Sequence, residues 1–149
     1  MKIAIGCDHA GFALKKVLVI RLQEMGHEVL DVGTDSDEAV DYPPFCAAVG
    51  RAVSRGEASW GIVLGGSGQG EAMAANKVHG ARAAICNDGE LARLARAHND
   101  ANILAMGGRI VSEPEAVRIL ETFLNTPFEG GRHVPRIEKI HEIEREECP

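Results

Sequence analysis

Five short apolar runs alternating with helix-like stretches constrain this chain more than any other feature. Ile3–Cys7, Glu28–Val32, Ile62–Leu64, Ala81–Cys86 and Asn102–Met106 read as strands. Between them, Phe12–Met25, a segment from Pro43 or Pro44 to about Ser54, Glu71–Lys77, and segments ending near Ala97 and Leu124 read as helices. Gly26 fits a helix stop, Asp88 and Ser112 fit N-caps, and Pro43, Pro44 and Pro114 fit first helical turns. The first helix carries Phe12, Leu14, Val17, Leu18, Ile20, Arg21 and Leu22 along a broad apolar side. Gly33–Tyr42 is acidic and turn-rich, a solvated loop. This alternation predicts an α/β fold: a doubly wound, five-stranded parallel sheet, Rossmann-like, in a single domain over residues 1–149. The tail Pro135–Glu147 reads as a further helix, with Ile137, Ile140 and Ile143 at spacing three. It follows a complete sheet, so its narrow stripe is open to packing on its own chain or on a partner subunit.

The 16 basic and 22 acidic residues leave a net charge of −6, which argues against nucleic acid and anionic membrane as main partners. No stretch is long and apolar enough to span a bilayer. Met1–Gly6 enters a strand directly and does not read as a signal peptide. Cys7, Cys46, Cys86 and Cys148 are scattered without CxxC spacing, so the expectation is reduced thiols in a cytoplasmic protein and no zinc site.

Sites in doubly wound sheets lie beyond the C-terminal ends of the strands. That rule gathers Asp8-His9, the loop Gly65-Gly66-Ser67-Gly68-Gln69-Gly70-Glu71, and Gly107-Gly108-Arg109. The loop joins a buried strand to a helix start, a geometry that aims several backbone N–H groups at one point where an anion can sit. Four glycines within residues 65–70 cost conformational entropy, and a close approach to a ligand accounts for that cost better than a bare turn. The loop is not a P-loop, a GxGxxG fingerprint or a nucleophile elbow. Ser67 can donate to a substrate oxygen or serve only the turn. Glu71 reads equally as a proton acceptor or as a first-turn carboxylate facing the helix dipole.

Asp8 fits an N-cap or a site residue, and His9 stands where a phosphate or sugar oxygen can reach it. His98-Asn99 ends a helix; a histidine there meets the helix dipole or moves protons near neutral pH. Arg109 is a surface arginine or a donor to substrate hydroxyls. Arg132 and Arg136, four apart at a loop-to-helix junction, can clamp a phosphate, though a solvated basic face reads as well. His133 and His141 match no strong metal spacing.

Taken together, Gly6-Cys7-Asp8-His9-Ala10-Gly11, Asp41-Tyr42-Pro43, Gly66-Ser67-Gly68-Gln69-Gly70, Ala74-Ala75-Asn76-Lys77, His98-Asn99, Gly107-Gly108-Arg109 and Gly131-Arg132-His133-x-x-Arg136 resemble the type B ribose 5-phosphate isomerases. The wider family includes galactose 6-phosphate isomerase subunits. The likeness runs in order over nearly the whole chain. It implies a cofactor-free aldose–ketose isomerase, homodimeric or a dimer of dimers, with sites at the dimer interface and no metal. By this likeness Asp8 and His9 line the site, and His9, Arg132 and Arg136 hold the phosphate. Tyr42 lies beneath the sugar, and Gly66, Gly68 and Gly70 of the loop bind the substrate. His98, with Ser67 or Asp8, assists ring opening, while Asn99 and Arg109 contact substrate.

The chain departs from many relatives at one place. They carry a cysteine, the base, just before the Gly-Ser/Thr-Gly, where this chain has Gly65. A subclass of the family has glycine there and glutamate where this chain has Glu71, and the likeness to it favours Glu71 as the base. The implied reaction is ribose 5-phosphate to ribulose 5-phosphate through an enediolate. The alternatives are another sugar (allose 6-phosphate, galactose 6-phosphate or an unphosphorylated aldose) or a non-catalytic sugar-phosphate-binding module.

Overall fold

A computed structural model describes residues Met1–Glu147. Cys148, one of the four thiols, lies outside the described residues. The strands are β1 (Lys2–Cys7), β2 (Glu28–Asp31), β3 (Trp60–Gly65), β4 (Ala83–Ile85) and β5 (Ile103–Gly107). The helices are α1 (Phe12–Glu24), α2 (Pro43–Ser54), α3 (Gln69–Ala75), α4 (Gly89–Asn99), α5 (Glu113–Asn125) and α6 (Val134–Glu147). Short 3₁₀ turns, His9–Gly11 and Gly131–His133, precede α1 and α6. All pairings are parallel, in the order β2-β1-β3-β5-β4. The doubly wound architecture expected from the sequence is the observed one.

The chain winds outward from β1 to β2, then crosses to β3 on the other side, so the ends of β1 and β3 diverge at a topological switch point. Alternating residues feed two cores. Ile3, Ile5, Ile62, Leu64, Leu104 and Met106 pack under α1, α4 and α5. Ala4, Val63, Ile103 and Ala105 pack under α2 and α3. On that second face a Cβ at Gly6 would stand 2.9 Å from Val49 Cγ2, and one at Gly61 would overlap the same side chain. The missing side chains let α2 ride close to the sheet, which carries its N-terminal Tyr42 over the end of β3.

Two boundaries and one burial pattern depart from the sequence reading in ways the structure explains. Strand β4 is three residues, not six, because Asn102 Oδ1 accepts from the Arg82 N–H at 2.7 Å and Asn76 Oδ1 from the Ala83 N–H at 2.7 Å. Helix α3 starts at Gln69, two residues early, because Gly68 takes φ +86° and its carbonyl accepts from the Ala72 N–H at 3.0 Å. On α1, Ile20 is exposed and Lys15 is buried, the reverse of the apolar pattern. The Lys15 ammonium donates to Asp31 Oδ1 at 2.9 Å and to the Thr34 carbonyl, so its charge is satisfied inside. On α6 only Ile137 is buried, while Ile140 and Ile143 face outward. Ile140 and Ile143 line a groove of about 520 Å³ with Ala83, Ala84 and Asn99.

Candidate active site

Three strand ends meet at one edge, as the sequence rule requires. The Asp8 N–H donates to the Leu64 carbonyl at 3.3 Å. The Gly108 N–H donates to the Gly65 carbonyl at 2.7 Å, and the Arg109 N–H to the Gly66 carbonyl at 3.1 Å. A Cβ on Gly107 would strike the Ser67 backbone, and one on Gly11 the Leu64 backbone. These glycines let β1, β3 and β5 bring their following loops into contact.

Glu71 is the buried carboxylate of this edge, only 4% exposed, in the first turn of α3. Its Oε1 occupies the space where a side chain on Gly65 would begin. Burial pushes its carboxyl above the usual carboxylate range, and the nearby Asp8 charge adds to the rise, while the backbone N–H groups of Glu71 and Gly68 work against it. A carboxylate held this way is a stronger base than a solvated glutamate and keeps contact with loop N–H groups.

The other residues of this edge are positioned by identifiable bonds. Asp8 caps the 3₁₀ turn, its Oδ1 accepting from the Ala10 N–H at 2.9 Å and the Gly11 N–H at 3.2 Å. Asp8 is thus an N-cap, and its charge is felt at Glu71. His9 Nδ1 accepts from the Val40 N–H at 3.2 Å, which places the neutral ring's proton on Nε2, a donor for an incoming oxygen. The Tyr42 phenol packs on Gly70, where no Cβ would fit. Ser67 is exposed, and its Oγ accepts from the Gln69 N–H at 3.2 Å. The Arg109 guanidinium lies over Gly66, its Nη1 3.6 Å from where a Cβ would stand. Asn87 was not singled out in the sequence. Its amide donates to the Ser67 carbonyl at 3.3 Å and accepts from the Gly107 N–H at 3.1 Å, bracing the loop against β5. Its only signal was a carboxamide directly after a strand.

His98, Asn99, Arg132 and Arg136 are not at this edge. Helix α4 leaves the C-terminal end of β4 and runs back, so His98 and Asn99 lie beside the start of β5, whereas Arg109 follows its end. A five-residue strand spans ~17 Å, and that length separates the two groups in one chain. His98 stacks on His133 with ring centroids 4.3 Å apart and planes at 14°. Arg132 flanks His133, and Arg136 follows in the first turn of α6; both are exposed. The residues expected at the site therefore fall into two groups: Asp8, His9, Tyr42, residues 65–71 and Arg109 at one edge, and His98, Asn99, Arg132 and Arg136 at the other. His9 and the two arginines of the expected phosphate grip are not brought together within one chain.

Among the described residues, no thiol offers a rival base. Cys7, Cys46 and Cys86 are free and buried. Burial pushes Cys7 up to about 11 and Cys46 and Cys86 up to about 12. Among the described residues no helix is long and apolar enough to cross a membrane.

Comparison with known proteins identifies the family. Ribose-5-phosphate isomerase B of Escherichia coli (strain K12) is 47% identical over 144 residues, covering 97% of each chain. The structure of Clostridium thermocellum ribose-5-phosphate isomerase B matches with a TM-score of 0.98 at 49% identity, covering 99% of this chain and 100% of that one. Ribose-5-phosphate isomerase B of Mycoplasma genitalium, solved with bound ribulose 5-phosphate, matches with a TM-score of 0.93 at 40% identity over 97% of each chain. The Ribose/Galactose Isomerase model matches residues 3–140. With this sheet, this glycine loop and these relatives, the chain belongs to the ribose/galactose isomerase family.

Proposed function

We propose that the chain interconverts ribose 5-phosphate and ribulose 5-phosphate without a cofactor, and that each active site is assembled from two copies of the chain. The observation that carries this reading is the Glu71 carboxylate buried beside Gly65, at the rim of the loop's N–H groups. The high identity to ribose-5-phosphate isomerases supports the substrate.

The phosphate of the furanose binds His9 of one copy and Arg132 and Arg136 of the other. His98, assisted by Ser67 or Asp8, moves the proton that opens the ring. Glu71 then takes the C2 proton of the open aldose. The C–H electron pair becomes the C1=C2 bond, and negative charge develops on O1. Ser67 and the N–H groups from Gly68 to Glu71 hold that charge; one such donor is worth ~3 kcal/mol, about a hundredfold in rate. The O2 proton passes to O1, the C1=C2 electron pair takes the proton back from Glu71 at C1, and C2=O2 forms to give the ketose.

A strand's length between the half-sites supports assembly from two chains, as a homodimer or a dimer of dimers in the cytoplasm. Apolar side chains left exposed near both edges, Met73 on α3 and Ile140 and Ile143 on α6, suit such an interface. A coupled assay of ribose 5-phosphate beside allose 6-phosphate tests the reading. Faster turnover of ribose 5-phosphate is expected; preference for the six-carbon sugar, or turnover of neither, would contradict it.

A further inference from the structure

We propose that His98, Glu129 and His133 form a binding site for a borderline divalent transition ion such as Zn²⁺, and that an ion held there switches isomerisation off. The second half rests on the ring-opening role given to His98; the site itself does not.

The trio comes from three different segments. His98 lies in the last turn of α4, His133 in the 3₁₀ turn before α6, and Glu129 in the connection from α5. The Glu129 N–H donates to the Ala97 carbonyl at 3.0 Å, tying that connection to the end of α4. One ligand atom from each residue lies within 4.8 Å of the others. Glu129 Oε2 is 3.7 Å from His98 Nε2 and 3.5 Å from His133 Nε2. Zinc bonds of ~2.0–2.1 Å in a tetrahedron put neighbouring ligand atoms ~3.4 Å apart. Two edges of the tetrahedron are therefore already near length. The third closes by tilting the His98 ring, which is partly exposed, against the buried His133.

Two imidazoles and one carboxylate, with a fourth position open to solvent, suit Zn²⁺ and its neighbours in the transition series. Mg²⁺ prefers six oxygen ligands and has no such set here. The arrangement escapes a sequence search because His98 and His133 are far apart in the chain. The nearer histidine, His141, does not join it: its ring lies 3.3 Å from Arg82 Nη1 and 3.5 Å from a Glu138 oxygen. An ion on His98 Nε2 occupies the lone pair through which that ring exchanges a proton, and the bound ring can no longer serve ring opening.

Titration calorimetry of the metal-free full-length protein with ZnCl₂ tests the site, with MgCl₂ as the hard-ion control. The expectation is zinc affinity that falls more than about tenfold in His133→Asn and stays unchanged in His141→Asn, with no magnesium binding. Because His133 is buried, Glu129→Gln, an exposed change, serves as the second variant, with circular dichroism to check both folds. Unchanged zinc affinity in both variants would overturn the site. Turnover measured over the same titration should fall in step with occupancy and return with EDTA. Zinc bound in a His133-dependent way with undiminished turnover would leave the site standing, overturn the switch, and remove His98 from ring opening.

Discussion

Glu71 holds its place because Gly65 has no side chain: a Cβ at position 65 would stand inside the Glu71 carboxylate. This gives a steric reason for glycine at 65 in a chain whose proposed base is a glutamate at 71. Any side chain at 65, a cysteine included, would compete for the same volume.

Gly65→Ala should therefore behave like a lesion in Glu71 although Glu71 is unchanged. The added methyl displaces the carboxylate, and a misplacement of about 1 Å can cost on the order of a hundredfold in rate. The checks are kcat for ribose 5-phosphate and a circular dichroism spectrum showing a folded protein. Near-wild-type kcat would show that the carboxylate's position is not what the loop is built for.

The raised pKa of Glu71, caused chiefly by burial, predicts a pH dependence of turnover. The base must be ionised, so kcat should fall on acidification through a value above that of an ordinary glutamate. Stability runs the other way. A carboxyl whose folded value lies above its unfolded value stabilises the fold when protonated, and that contribution is lost as pH rises through the folded value. Glu71→Gln should thus be more resistant to urea than the parent at neutral pH, with the difference vanishing below the unfolded value near 4.5. Equal urea midpoints at neutral pH would contradict the buried-charge account.

The fold was legible because its signals are local. Strand and helix periods, Gly26, Asp88 and Ser112 marked the elements, and the strand-end rule brought Asp8, the glycine loop and Arg109 to one edge. What escaped depended on distant partners. Lys15 is buried because Asp31 and Thr34 receive its charge, and β4 is short because Asn76 and Asn102 take over its backbone bonds. Asn87 braces the loop through groups on two other segments. The placement of His98 opposite Glu71 follows from the direction of α4, which no motif records. The overlap between Gly65 and Glu71 exists only once the loop has turned.

The proposed assembly of each site from two chains makes a complementation prediction. Glu71→Gln and His98→Asn should each be inactive alone. Co-refolded in equal amounts they should recover about a quarter of parental activity, because half the dimers are mixed and each mixed dimer has one intact site of two. Recovery would be absent if each chain carried its whole site.

The base assignment is tested most directly by Glu71→Gln itself, with kcat and the affinity for a phosphorylated sugar acid measured on the same preparation. The expected result is kcat reduced by about 10²–10⁴-fold, the range for removal of a positioned general base, with affinity near the parent's. Retained turnover would contradict it.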